Sequence, residues 1–254
     1  EYWIGSKDYL LEGVLNHRFL QVAIKSLSIS PTLFENRYVS RISNWNNLDT
    51  LKNTFIQELF AQGFIPFKFG FIKPSARYQV ITNHTYFTRD TAFIFPTQAR
   101  NTIQILQLGL ESKFSIKNLH FEHQIFYTQD LSSSNVIRFP EWHIWGSWYY
   151  QKNLFKNALL LRTGIDWHYR TAYYTDAYMP AVKQFYLQNN YLVRAYPIVD
   201  IFASLLIKKT RVFIKMSHVN DGILAKPDNG YVVTPFYAGL RRTFSLGFSW
   251  RLFD

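Results

Sequence analysis

Residues Leu159–Arg170 read Leu-Leu-Leu-Arg-Thr-Gly-Ile-Asp-Trp-His-Tyr-Arg, and their order decides the fold. Leu159, Leu161, Thr163, Ile165, Trp167 and Tyr169 occupy alternate positions, and Leu160, Arg162, Gly164, Asp166, His168 and Arg170 fill the gaps between them. Successive side chains of an extended chain point to opposite sides, so this alternation makes a strand with one apolar and one charged face. A helix would scatter both sets around its circumference.

The same period recurs on either side. At the C-terminus Phe244, Leu246, Phe248, Trp250 and Leu252 alternate with Thr243, Ser245, Gly247, Ser249 and Arg251. Leu119, Phe121, Ile125 and Tyr127 oppose His120, Glu122, Gln124 and Thr128; Val199 to Ile207 oppose Asp200, Ser204 and Lys208; Tyr78, Val80 and Tyr86 oppose Arg77, Gln79, Asn83 and Thr85. Weaker alternation predicts further strands over Leu10–Phe19, Leu20–Ile29, Tyr38–Asn47, Asn53–Phe64, Ile103–Lys113, Trp142–Gln151, Gln184–Arg194 and Arg211–Val219. Within Ile103–Lys113 the apolar phase slips from Ile103 and Ile105 to Leu106, Leu108 and Leu110, which predicts a bulge or a bend. Turn chemistry falls at Ser30-Pro31, Lys73-Pro74, Phe95-Pro96, Leu131–Ser134, Asn153, Asp176–Pro180 and Asn220-Asp221-Gly222.

Composition narrows what such a sheet can be. Aromatic residues make up 19% of the 254-residue chain and charged residues 18%, against ~25% charged in ordinary soluble domains. That mixture excludes intrinsic disorder, and the absence of cysteine excludes disulfide scaffolds, thiolate metal sites and cysteine nucleophiles. The longest run without Asp, Glu, Lys or Arg, Asn229–Leu240, contains Pro235 and two glycines, far from the ~20 apolar residues of a spanning helix. Two readings remain: a membrane barrel, or a soluble β protein whose rings fill its core. Strands of ~10 residues exceed the ~5–6 usual in soluble sheets, and aromatics near strand ends match the interfacial girdles of membrane barrels. The expectation is an all-β, antiparallel transmembrane β-barrel of roughly 12–14 strands in meander order, one domain over residues 1–254.

The C-terminal stretch adds a resemblance. Gly230-Tyr231, Pro235-Phe236-Tyr237, Arg241-Arg242-Thr243-Phe244 and Gly247-Phe248-Ser249-Trp250-Arg251-Leu252-Phe253-Asp254 together resemble the C-termini of the Bacteroidetes outer-membrane porin family. Val212–Asn220, followed by Asp221-Gly222, is similar to that family's penultimate strand. The resemblance is specific over about residues 196–254 and general upstream. It implies a barrel in the outer membrane of a Gram-negative bacterium. Members of the family are usually longer, which makes the chain a C-terminal portion or a short relative. Asp254 also follows Phe253 where barrels in general end on an aromatic.

If the apolar faces meet lipid, the opposite faces line a lumen. Lipid-facing candidates are Leu159, Leu161, Ile165, Trp167, Tyr169, Phe244, Leu246, Phe248, Trp250 and Leu252. Lumen candidates are Arg77, Glu111, Lys113, His120, Glu122, Arg162, Asp166, His168, Arg170, Lys208, Lys215 and Arg251, in which Lys and Arg outnumber the acids. A positively lined pore concentrates anions, so a weak anion preference is expected. Mixed charges that neutralise one another in a plugged interior remain the alternative, as does an excess of Lys and Arg in loops facing lipopolysaccharide phosphates.

Catalytic patterns are weak. His143 and Ser147 share a strand face but stand ~13 Å apart at ~3.3 Å per residue, and Asp166–His168 and His120–Glu122 supply two ligands each where catalytic zinc takes three. Neither a phosphate-cradling glycine loop nor a zinc-protease or hydrolase motif occurs. Aromatic and basic residues mostly sit on opposite faces, unlike a single-strand nucleic-acid site. No cofactor, enzymatic activity or nucleic-acid partner is therefore expected. The expected partners are the bilayer, lipopolysaccharide and small solutes. Two functions lead: a porin passing small solutes by diffusion, or a plugged scaffold barrel of an envelope secretion or surface-protein assembly, with envelope partners; a third, a barrel hydrolase, would need a Ser–His pair across neighbouring strands. The connections around Thr175–Lys183 and Asp221–Leu240 are the expected surface loops, since barrels carry long loops outside and short turns on the periplasmic side.

Overall fold

The computed structural model describes residues 2–3, 7–41, 43–90, 93–223 and 231–250. One antiparallel sheet of thirteen strands dominates it. Its long strands are β1 (Asp8–His17), β2 (Leu20–Ile29), β3 (Thr54–Gly63), β4 (Gly70–Thr82), β5 (Ile103–Ile116), β6 (Leu119–Asp130), β7 (Trp142–Leu154), β8 (Leu159–Arg170), β9 (Ile198–Ile207), β10 (Thr210–Ser217) and β11 (Thr243–Trp250). The two short members are Tyr2–Trp3, which pairs with β1, and Ile65–Phe67, which pairs with β4. Each long strand pairs with the next in chain order, as expected of a meander; among the described residues, no pairing joins β1 to β11.

Antiparallel order sorts the connections. Two-residue turns join β1 to β2, β5 to β6 and β9 to β10, and residues 64–69 and 155–158 join β3 to β4 and β7 to β8, all at one end of the sheet. At the other end lie the long connections 30–53, 83–102, 131–141, 171–197 and 218–242. Both expected surface loops are among them, residues 224–230 of the second lying outside the described residues. The one-turn helix Leu33–Asn36 in the first is closed by a capping box, Thr32 accepting from the Glu35 amide while Glu35 accepts from the Thr32 amide.

The sheet buries the wrong face for a soluble protein. Phe248 is 78% exposed, Leu246 65%, Leu11 63% and Ile24 60%, all on the apolar side, an expanse far beyond the patches of soluble monomers. The larger cluster of buried apolar residues lies instead among the long connections, where Trp45, Phe87, Ile94, Ala177, Val182 and Tyr186 pack together. The rings on the strands therefore do not fill a soluble core. Among the described residues no helix is long and apolar enough to cross a membrane.

Several expectations need correction. β5 carries no bulge, for its register runs unbroken with β4 from Ile103 to Phe114 and with β6 from Ile105 to Ile116. The phase slip has another cause: Ile81, Ile103 and Ile105 are covered by Val136, Ile137 and Phe139 of the 131–141 connection, so the polar face turns apolar where a loop lies on it. The segment through Tyr78 and Tyr86 breaks at Asn83, whose φ of 55° ends β4, and Thr85–Arg89 pairs instead with Ile94–Gln98. Tyr38–Asn47 and Gln184–Arg194 are not long strands but short ladders within long connections. Lys73-Pro74 is no turn: Pro74 lies within β4 opposite Leu110, at the point where β4's other edge passes from β3 to Ile65–Phe67 and the ladder on that side is interrupted.

Candidate functional site on the polar face

Strand parity and register bring Arg77, Glu111, Lys113, His120, Glu122, Arg162, Asp166, His168, Arg170 and Lys215 to one face. Lys208 does not join them, because it lies in the turn after β9. Arg251 and Leu252 lie outside the described residues. Leu159, Leu161, Ile165, Trp167 and Tyr169 share the opposite face with Phe244, Leu246, Phe248 and Trp250.

Two charge networks organise the polar face. In the first, Lys113 Nζ lies 2.7 Å from Glu122 Oε1, and the Tyr149 hydroxyl donates to the same oxygen at 2.8 Å. Tyr149 stands on the strand between His120 and Arg162. The His120 ring stacks on it at 4.8 Å and the Arg162 guanidinium lies 3.8 Å from its centroid. In the second, Asp166 and Asp200 face each other directly across β8 and β9, a like-charge pair that would be repulsive alone. Lys215 on β10 bridges them, at 2.8 Å from Asp200 and 3.5 Å from Asp166, while Ser147 donates to Asp166 at 2.7 Å. Lys73–Glu111 at 3.5 Å and Arg77–Glu58 at 3.7 Å extend the pattern towards β3. These pairings leave a groove of about 440 Å³ between β7 and β11, with Arg162, Arg211, Phe202 and Ser204 in its lining.

The dyads considered from sequence do not form. Asp166 is engaged by Ser147 and Lys215, and Glu122 by Lys113 and Tyr149. His120 Nδ1 meets Ser115 Oγ at 2.6 Å, a Ser–His contact across neighbouring strands that sequence reading missed. Among the described residues no group of three His, Cys, Asp or Glu side chains could hold a metal ion. Tyr149, Asp200, Glu58 and Arg211 were also missed as site residues. Tyr149 sits in the aromatic run Trp142–Tyr150, which reads as a girdle. Its parity, shared with Ser147, was the available signal for the polar face.

Above the wall, the long connections interlock. Leu187 N donates to Phe87 O at 2.8 Å, Arg89 reaches the Tyr186 hydroxyl, Arg138 donates to Asn189, and Arg170 on β8 donates to Val232 O at 2.9 Å. Burial pushes the Asp176 carboxyl above its ordinary range, against the pull of the nearby Arg138 guanidinium, and burial holds the His84 imidazole below its own, against Glu35.

The profile of a family described as "Putative porin" matches residues 1–254. No curated protein sequence matches the chain significantly. Among solved structures, the FrpB iron transporter from Neisseria meningitidis (F5-1 variant) superposes with a TM-score of 0.62 at 14% identity, over 95% of this chain and 39% of its own. The copper transporter OprC gives 0.60 at 9% identity, over 84% and 33%, and the ferric preacinetobactin receptor BauA from Acinetobacter baumannii 0.53 at 11%, over 95% and 36%. The chain thus spans about two fifths or less of the length of these structures, and at such identities the likeness is one of fold.

Proposed function

The chain belongs to that porin family as an outer-membrane β-barrel protein, and on this premise we propose that its polar face lines a lumen passing small solutes by passive diffusion, with a weak preference for anions. The apolar face meets the hydrocarbon, and the long connections face outward towards lipopolysaccharide, as barrels place them. A Bacteroidetes source accords with the C-terminal resemblance. No reaction is assigned.

One observation carries the anion preference: around the groove at β7–β11 the cations are less neutralised than the acids. Asp166 already accepts from Ser147 and pairs with Lys215, while Arg162 rests on the Tyr149 ring and Arg211 lines the same groove. Cationic lining raises local anion concentration. In a planar bilayer under a salt gradient, the refolded chain gives discrete conductance steps and a reversal potential of anion-preferring sign. Arg162→Gln with Arg211→Gln moves that potential towards zero, reducing the preference by roughly half. A cation-preferring sign in the native chain rejects the assignment.

The interlocked long connections support a second reading, a plugged scaffold subunit of an envelope assembly. They hold one end of the wall through the Trp45–Phe87–Tyr186 cluster and the Arg170–Val232 bond. A folded barrel that never conducts favours this reading over the porin.

A further inference from the structure

The end of the sheet with short turns carries one sign of charge. Arg18 stands in the β1–β2 turn, Lys68 between β3 and β4, Lys117 between β5 and β6, Lys156 between β7 and β8, and Lys208 with Lys209 between β9 and β10. Among the described residues these turns contain no Asp or Glu. The long connections are mixed, with Glu35, Asp49, Asp90, Glu141, Asp176 and Asp221 among their cations. Beside each cation stands an exposed apolar side chain, Phe19, Phe69 and Phe155 (79% exposed) within the turns and Ile116 and Ile207 at the strand ends that lead into them. The Arg18 guanidinium lies 5.0 Å from the Phe19 ring and Lys68 Nζ 5.5 Å from Phe69. Lys117, Lys156 and Lys208 take left-handed φ of 55°, 52° and 52°, which costs a lysine what glycine or asparagine would spare.

We propose that this rim binds the headgroups of anionic phospholipids in the leaflet it faces. The apolar neighbour enters the acyl boundary while the cation sits at phosphate depth, the division of labour of interfacial anchors. Distribution separates a lipid from a protein partner. Successive hairpins lie two strands apart, about 10 Å, so the cations recur along the whole rim instead of forming one patch. A layer of headgroups meets such a rim everywhere. The inference does not depend on whether the lumen conducts.

The test uses the full chain refolded into phosphatidylcholine vesicles containing trace spin-labelled phosphatidylglycerol or spin-labelled phosphatidylcholine. The ratio of motionally restricted lipid reads the selectivity of the protein surface. The native chain retains phosphatidylglycerol over phosphatidylcholine by roughly threefold. The ratio falls to parity in about 1 M salt, where the Debye length is ~3 Å. Replacing Arg18, Lys68, Lys117, Lys156, Lys208 and Lys209 with Gln also brings parity, with folding checked by heat-modifiable gel mobility. Lys52→Gln with Lys183→Gln, at the opposite end, leaves the ratio unchanged. Parity in the native chain overturns the proposal, and so does selectivity that survives the rim substitutions or is lost equally in the opposite-end variant. Loss of selectivity on adding millimolar inorganic phosphate at constant ionic strength makes the rim a free-phosphate site and overturns the headgroup assignment. If the rim variant does not fold, the salt and phosphate arms on the native chain decide alone.

Discussion

A Cβ at Gly164 would stand 2.6 Å from the Tyr149 Cα and closer still to the Trp148 carbonyl oxygen. Only hydrogen fits there, and it lets β7 approach β8 closely enough for the Tyr149 ring to lie between His120 and Arg162. Gly164→Ala is expected to destabilise the sheet by about 1–3 kcal/mol, read from urea unfolding followed by tryptophan fluorescence; an unchanged midpoint would show that β7 can shift without cost. Lys215 answers a different problem, the Asp166–Asp200 pair. Lys215→Met leaves two facing carboxylates and should cost about 1–2 kcal/mol at this partial exposure, with Asp200→Asn in the same chain recovering most of it. Sequence reading placed Asp166 and Lys215 on the polar face, but the neighbour it could weigh for Asp166 was His168. The i, i+2 spacing along one strand is visible in sequence, whereas the partner across the ladder depends on register, which is not.

At the scale of elements, β8 keeps the bounds read from alternation because its contrast persists to both ends, and β2 keeps them although Leu27 and Ile29 change sides at its turn-distal end. β5 misled for a physical reason: a loop covers its first residues, so apolar side chains on the polar face report a local core, not a bulge. Ile137→Ser with Phe139→Ser should release the 131–141 connection and lower amide protection there by tenfold or more, with β5 and β6 unchanged; equal loss in the strands would mean that the loop is part of their cooperative unit. The 83–102 hairpin should respond to pH. Burial holds His84 below its unfolded value of ~6.5, so the stability it contributes is present above that value and lost as pH falls through it. Protection factors in the hairpin should drop between about pH 7 and pH 5, and His84→Gln should remove that drop. Asp176 runs oppositely, since a carboxyl raised by burial gains stability on acidification. Protection around 171–197 that falls on acidification of the His84→Gln chain would contradict this sign.

The whole molecule is a wall turned inside out relative to a soluble sheet, with leucines and rings outward, charges on the other face and its apolar core among the long connections. Without water, every strand amide and carbonyl must be paired, which is why sheets cross membranes only in closed form. The refolded chain is therefore expected to resist dilute protease along its strands while the long connections are cut first; cleavage within Leu159–Arg170 would contradict membrane embedding. The sequence by itself determined the strand period, the meander and the sorting of apolar from polar side chains, because a period of two is a local property of an extended chain. It also reached the family through its last residues. Only the tertiary structure decided which charges meet, that Lys215 holds two aspartates, that Tyr149 lies between His120 and Arg162, and that the long connections lock over one end while cations ring the other. Those relations rest on cross-strand register and loop packing between residues far apart in the chain, and local alternation carries no record of either.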